Sequence, residues 1–382
     1  MVRFVHLADL HIGKKLGLFD LMEDQRFILH KIARRVQSIR PDAVLIAGDV
    51  YDKSVPSAEA MGLFDGFLNE LLDSGAQVLV IGGNHDSQER LAFGSQIMKK
   101  QGVYIAGPYE GKLERVPMRD DYGTIDLYLL PYIRPREAAR FLDEEFSQTG
   151  EAIRAILDRE QIDFSGRNVL IAHQFVTSAT QEVIQCDSEV NPIGGLSAVD
   201  VSLFEGFDYL ALGHLHGSQR VGRDSARYAG SPLKYSFSEA RHRKSMVVGE
   251  IRRKGELSIE LEPLEPLRDV REIRGELEKL MAPEVVEAAN SEDYLKVVLT
   301  DPVTPVSPME RLSLAYQNIV SLELARNFSP MDIWEPVECA RQKDPLELFE
   351  TFYQRMNGAP MTGEMRAEIG ELLAEVGEGG EP

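Results

Sequence analysis

Five stretches of this 382-residue chain end alike, in an apolar, strand-length run followed by side chains that carry lone pairs or mobile protons. Val5-His6-Leu7 leads to Asp9 and His11, Leu45-Ile46-Ala47-Gly48 to Asp49 and Asp52, and Val80-Ile81-Gly82-Gly83 to Asn84, His85 and Asp86. Leu170-Ile171-Ala172 leads to His173, and Ala211-Leu212-Gly213 to His214 and His216. Residues i and i+2 of an extended segment project to the same side, so Asp9 with His11, and His214 with His216, can each reach one point. Gathered at one sheet edge, the carboxylates of Asp9 and Asp49, the amide of Asn84 and five imidazoles form a donor set for two divalent cations. A carboxylate has two oxygens and can bridge such a pair. Two cations about 3.5–4 Å apart clamp the attacking and leaving oxygens of a phosphoryl displacement and acidify a bound water. Mixed nitrogen and oxygen ligation suits Mn, Fe or Zn better than Ca or Mg. Any one of these histidines, taken alone, reads as a core or turn residue, and Asn84 and Asp86 could simply bond the backbone of a turn. Five of the eight histidines at the same structural position, beside carboxylates, read as a metal site.

For these residues to meet, the apolar runs must be strands of a mostly parallel sheet, whose carboxyl ends are where ligands bind in α/β folds. The spacing of Phe27, Ile28, Ile32, Val36 and Ile39 predicts a helix over 21–40, stopped by Pro41. His30 lies in it as a surface histidine with no polar companion. Ser57 is placed to cap a helix with the stripe Met61, Phe64, Phe67, Leu68 and Leu71. Further helices are expected over 88–101 and across most of 135–160. Strands are expected at 104–106 and 127–130, with a turn at 120–124 and a closing hairpin from 246–251 and 257–261. The polar stretch 177–199 reads as a long active-site loop. Beyond a linker at 263–266, the pattern of strand, helix, strand, helix, strand to residue 325 predicts a small α+β unit without histidine. Residues after 330 are irregular up to two helices, 345–356 and 362–376. The division expected is a catalytic domain over 1–262, an α+β domain over 267–328, and a linker with a helix-loop-helix over 329–382.

Composition narrows the function. The formal charge of −20, from 62 acidic and 42 basic residues, opposes a protein that wraps nucleic acid with its bare surface. A nucleic-acid enzyme whose positive charge comes from bound metals or a partner is still compatible with it. No apolar run approaches the ~18 residues of a membrane span, and no signal-peptide architecture opens the chain. Cys186 and Cys339 are far apart, in no metal-like spacing, and are expected as reduced thiols of a cytoplasmic protein.

The motifs Asp9-Leu10-His11, Gly48-Asp49-Val50-Tyr51-Asp52, Gly83-Asn84-His85-Asp86, Ala172-His173 and Gly213-His214-Leu215-His216 resemble, in order, those of the calcineurin-like metallophosphoesterases. The resemblance is greatest to the DNA double-strand-break nuclease branch, and is strong over about residues 1 to 260. It implies a four-layer α-β-β-α sandwich of α/β class with a small capping domain and C-terminal helices, hydrolysing DNA as exonuclease and endonuclease. One ion would be held by Asp9, His11, Asp49 and His216, the other by Asp49, Asn84, His173 and His214, with Mn²⁺ the expected metal. His85 would face the scissile phosphate, oriented by the Asp52 carboxylate. DNA ends and hairpins, an SMC-like ATPase and a second copy of the chain, joined through the early helices, are the implied partners. In the C-terminal helices, Leu346, Leu348, Phe349, Phe352 and Tyr353 are too apolar for a free tail and would bind that ATPase. A phosphatase or nucleotide phosphodiesterase on the same fold is the alternative. Against it, Lys53-Ser54 stands where protein phosphatases carry Arg-Gly.

Overall fold

The computed structural model describes residues 1–189, 198–325, 344–357 and 360–378. Cys339, the interior of the expected active-site loop and most of the expected linker after residue 329 lie outside them. Two compact units divide the chain, Met1–Val270 and Arg271–Pro382.

The first unit is built on two six-stranded sheets. One contains β1 (Val2–Leu7), β2 (Ala43–Ala47), β3 (Gln77–Ile81) and β4 (Val103–Ala106). The other contains β5 (Glu114–Asp120), β6 (Gly123–Leu130), β7 (Arg167–His173), β8 (Tyr209–Gly213), β9 (Gln219–Val221) and β10 (Arg223–Tyr228). The hairpin β11 (Ser245–Ile251) and β12 (Leu257–Pro263) completes the first sheet in the order β12-β11-β1-β2-β3-β4. The second runs β9-β10-β8-β7-β6-β5. Neighbours among β1 to β4, and β6 with β7, β7 with β8 and β8 with β10, are parallel. The carboxyl ends of β1, β2 and β3 therefore share one edge, and those of β7 and β8 share another.

Side-chain alternation along the strands sorts the apolar residues into layers. Phe4, Leu45, Leu79 and Ile81 of the first sheet pack against Ile125, Leu127, Val169, Ile171 and Tyr209 of the second. Their neighbours Val5, Val44, Ile46, Val78 and Val80 face the other way and are also buried. They lie under the helices Met22–Ile39 and Ala58–Leu72, whose Ile28, Ile32, Val36, Phe64, Phe67 and Leu71 are buried. On the far side, Tyr128, Leu130, Leu170 and Leu212 meet Ala152, Ile153 and Ile156 of the helix Thr149–Glu160. The result is an α-β-β-α sandwich. Each large aliphatic side chain in it contributes about 1.5–3 kcal/mol by leaving water.

Several expectations need revision. The helix expected over 88–101 is broken into Gln88–Leu91, Ser95–Met98 and a 3₁₀ turn, because Gly94 takes a left-handed φ of 79°. Phe93 and Ile97 are consequently 84% and 73% exposed. The stretch 135–160 is two helices, Pro135–Leu142 and Thr149–Glu160, parted at Asp143, whose φ is 54°. Met61, placed on the apolar stripe, is exposed instead. His30 does have a polar companion, its Nδ1 lying 2.8 Å from Glu70 Oε2. The stretch 263–266 is tied down, with Leu264 buried and Glu265 bonded to Lys31.

The second unit holds the sheet β13 (Val270–Gly275), β14 (Tyr294–Leu299) and β15 (Asn318–Leu324), packed on Leu277, Leu280, Leu312 and Tyr316. The helices between these strands are short, Leu277–Leu280, Pro283–Val286 and Pro308–Leu312. The helices Pro345–Asn357 and Gly363–Glu378 contact each other through Tyr353 with Met365 and Glu350 with Arg366. Leu348 and Phe352 stay exposed on this pair, while Leu346, Phe349 and Tyr353 are half-buried.

Candidate metal centre

All the strand-end residues of the sequence pattern come together at one place. The Nε2 atoms of His11 and His216 lie 3.0 Å apart, and these two residues group with Asp9. Asn84 Oδ1 stands 3.0 Å from both His173 Nε2 and His214 Nδ1. Between the two groups sits Asp49, whose Oδ2 is 3.6 Å from His11 Nε2 and 3.4 Å from His173 Nε2. Its other oxygen accepts the main-chain N–H of His85 at 2.8 Å. Asp9 accepts the main-chain N–H of His214 at 2.9 Å, which ties the end of β1 to the end of β8.

The backbone is strained to bring them there. Asp9, His11 and Asp49 have φ of 53°, 44° and 49°, and His214 has 112°. Left-handed φ is uncommon for residues other than glycine, and such outliers collect where the surroundings enforce them for a purpose. Close approach of the two sheets also demands bare backbone. A Cβ on Gly213 would stand 1.9 Å from Ala47 O and 2.8 Å from His173 Nδ1. Within the first sheet, a Cβ on Gly83 would stand 2.1 Å from Asp49 Oδ1, so the β2 and β3 loops also meet over bare backbone.

The donors suit cations. His173 Nδ1 donates to Ala47 O at 2.8 Å, so its Nε2 is the lone-pair atom turned toward Asn84 and Asp49. Burial would lower the basicity of His173, but the charge and hydrogen bond of Asp49 overcome it and lift its pKa to about 9. Burial holds His11 well below the ordinary imidazole value and His214 down at about 3, leaving both neutral. It also pushes Asp9 well up, while the neighbouring imidazoles, His173 foremost, outweigh burial at Asp49 and hold it low. Without a cation, the contact between Nε2 of His173 and Asn84 Oδ1 requires a second proton on that ring. Two divalent ions would replace such protons with bonds to lone pairs already aimed inward. The residues fit the group.

A supporting network holds the donors, and much of it has no signature in the sequence. Gln25 from the first helix donates to His11 O at 2.7 Å and accepts from Gly13 N at 2.9 Å, and Tyr235 OH donates to Leu10 O. His216 Nδ1 meets Ser188 Oγ at 2.8 Å and the buried Glu239 Oε1 at 3.4 Å. Lys244, also buried, spends its three protons on Glu239, Ser231 Oγ and His216 O, at 2.6, 2.8 and 2.8 Å. Burial would raise Glu239, but hydrogen bonds and charge from His216 and Lys244 hold it below the usual carboxylate range. Glu189 accepts the His216 main-chain N–H at 2.6 Å. Glu239 and Lys244, both buried, are given their partners by the fold and not by any motif of the sequence.

Asp52 departs from its expected role, whereas Asp86 takes the turn-bonding role open to it in the sequence. The expected pairing of the Asp52 carboxylate with His85 does not occur, because His85 Nδ1 donates to the main-chain carbonyl of Asp52 at 2.9 Å. The Asp52 carboxylate bonds Lys14 Nζ at 2.8 Å instead and lies 3.9 Å from His11 Nδ1. The loop thus orients His85 through its backbone. Asp86, in turn, binds backbone and fastens the turn. Its Oδ2 accepts from Val50 N and Gly83 N, at 3.1 and 2.9 Å, and its Oδ1 from Tyr51 N at 2.9 Å. Burial and the Asp49 charge push it up to about 6 against those three amides.

Comparison with known proteins agrees with this geometry. Residues 2–218 match the family model described as calcineurin-like phosphoesterase, and residues 266–357 match that described as type 5 capsule protein repressor C-terminal domain. The SbcD subunit of nuclease SbcCD from Staphylococcus epidermidis is 31% identical over 384 residues, covering 98% of each chain. Its namesake from Staphylococcus saprophyticus is 31% identical over 386 residues, 99% of this chain and 100% of that one. A dimetal phosphatase from Danio rerio is also matched, with TM-score 0.41 and 12% identity over 70% of this chain and 98% of that one. This chain belongs to the calcineurin-like phosphoesterases and, within them, to the SbcD family of metal-dependent phosphodiesterase nucleases.

Proposed function

We propose that this chain cleaves DNA at double-stranded ends and hairpins, as exonuclease and endonuclease, in a cytoplasmic complex with an SbcC-type SMC-like ATPase. The carrying observation is the position of Asp49 Oδ2, 3.6 and 3.4 Å from imidazoles of two separate donor groups. Asp9, His11 and His216 would hold one ion with Asp49, and Asn84, His173 and His214 the other. Two divalent cations, for which the mixed donors admit Mn, Fe or Zn and the family resemblance favours Mn²⁺, would supply Lewis acidity toward the phosphoryl group. His85, which also clusters with His11 and Asp52, is assigned to neither ion. Its Nδ1–H is committed to Asp52 O, so Nε2 is the atom presented to substrate, to give a proton to the leaving oxygen or to steady its charge.

Homodimerisation would use the helices Met22–Ile39 and Ala58–Leu72, where Phe27 and Met61 remain exposed. The ATPase would cover Leu348 and Phe352, the exposed members of the set Leu346, Leu348, Phe349, Phe352 and Tyr353. Among the described residues no helix is long and apolar enough to cross a membrane. The test is incubation with Mn²⁺ and linear or hairpin duplex DNA, beside phosphopeptide and cyclic nucleotide, with and without the ATPase. DNA cleavage is expected, lost in His85→Ala while two metals stay bound. Preferred turnover of phosphopeptide, or metal loss in that variant, would contradict the assignment.

A further inference from the structure

The turn that carries Glu239 continues into Arg241-His242-Arg243, basic side chains that the metal centre does not use. Arg241 and Arg243 are both exposed, and neither has an ion-pair or hydrogen-bond partner among the described residues. Acidic groups outnumber basic ones 62 to 42 in this chain, and Arg35, Arg115, Arg167 and Arg268 each hold a carboxylate. Like the exposed Arg90, Arg136 and Arg140, these two have open guanidiniums, but theirs stand on a turn tied to a ligand of the metal centre.

That turn is fixed relative to the metal centre. His242 N donates to Glu239 O at 2.7 Å and Lys234 Nζ to Ala240 O at 2.8 Å, while the Glu239 carboxylate rests on His216 Nδ1. The His242 ring lies over Gly217, the residue after His216, where a Cβ would stand 3.3 Å from its Cε1. Lys244 turns inward to hold His216 O, and the two arginines flanking His242 turn outward.

We propose that Arg241 and Arg243 grip two backbone phosphates of the strand entering the metal centre, and so set its register on the catalytic edge. The reading rests on the nuclease function proposed above and names the chain's own contact to that substrate. A guanidinium fork matches phosphate geometry, and phosphate contacts position a strand without reading its sequence. Two such contacts leave total affinity modest, as a chain of charge −20 requires.

The full-length chain with Mn²⁺ is assayed on duplex DNA and on bis(p-nitrophenyl) phosphate, with salt varied. In Arg241→Ala/Arg243→Ala, turnover of the small diester should match wild type, while KM for DNA rises about tenfold. The slope of log KM against log salt should fall by about 1.8, at ~0.9 for each phosphate no longer neutralised. Arg241→Lys/Arg243→Lys should keep that slope and recover part of the KM, since the charge stays while the fork is lost, which also guards against a misfolded alanine variant. Unchanged DNA kinetics in the alanine variant, the result if the arginines serve an acidic protein instead, would overturn the proposal. So would a lysine variant as impaired as alanine. A wild-type chain that hydrolyses the small diester but not DNA would refute the nuclease reading itself.

Discussion

Asp86→Asn removes one charge and one acceptor from the carboxylate that joins the β2 loop to the β3 loop. Its two oxygens accept three main-chain amides, two on Oδ2 and one on Oδ1. Asparagine has one acceptor oxygen. With that oxygen in the Oδ2 position, Val50 N and Gly83 N keep a partner but lose the charge, which roughly halves each bond. Tyr51 N then faces an NH₂ group. An unmatched buried amide costs about 1–3 kcal/mol, and weakening two further bonds adds ~0.5 kcal/mol each, about 2–4 kcal/mol in all. At pH 8, above the pKa of about 6 of the native carboxyl, the wild-type group is ionised and the comparison is clean. Hydrogen exchange of Val50, Tyr51 and Gly83 reads the local opening free energy directly. Their protection should fall about 30- to 900-fold, since each 1.36 kcal/mol is tenfold. Metal affinity should fall with it, because Asp49 and Asn84 ride on the two loops. Protection within threefold of wild type would refute the idea that Asp86 staples them.

Other outcomes follow from the same geometry. Glu239→Gln should weaken the ion held by His216 by about 10–100-fold in a metal titration and spare the other, as loss of a group orienting a ligand does; equal weakening of both would point to general unfolding. Gly213→Ala should cost at least ~1–3 kcal/mol and lower metal content, because its Cβ would drive Ala47 O and His173 apart, and a thermal melt beside metal analysis decides it. Uptake of metal by His173 requires loss of the proton held with a pKa of about 9, so titrations near pH 7.5 in buffers of different ionisation enthalpy should register release of at least about one proton, with Asp9, raised by burial, adding to it. Zero release would contradict the assignment of Nε2. The sign for stability is the opposite: the raised pKa stabilises the metal-free fold fully below about 6.5, and that contribution is lost as pH rises through about 9.

The donor residues were legible because strand, glycine and polar cluster recur five times, and a parallel sheet aligns strand ends whatever the loops do. Their backbone strain was not legible, since Asp9, His11 and Asp49 differ in no visible way from the same residue types in relaxed turns. Asp52 misled because sequence displays side chains, while the atom used on His85 is a carbonyl that any residue carries. Gln25, Glu239, Lys244 and Ser188 went unseen for a related reason. None belongs to a motif, and only the folded chain shows which partner each takes. At the level of elements, Gly94 was a visible break signal that helical periodicity outweighed, and Asp143 carried none.

The central claim is that five loops converge so that Asp49 lies between two cations. Anomalous diffraction from crystals grown with Mn²⁺ tests it most directly. Two peaks about 3.5–4 Å apart are expected, one beside Asp9, His11 and His216, the other beside Asn84, His173 and His214, with Asp49 touching both. A single peak, or two peaks with no Asp49 oxygen between them, would contradict it.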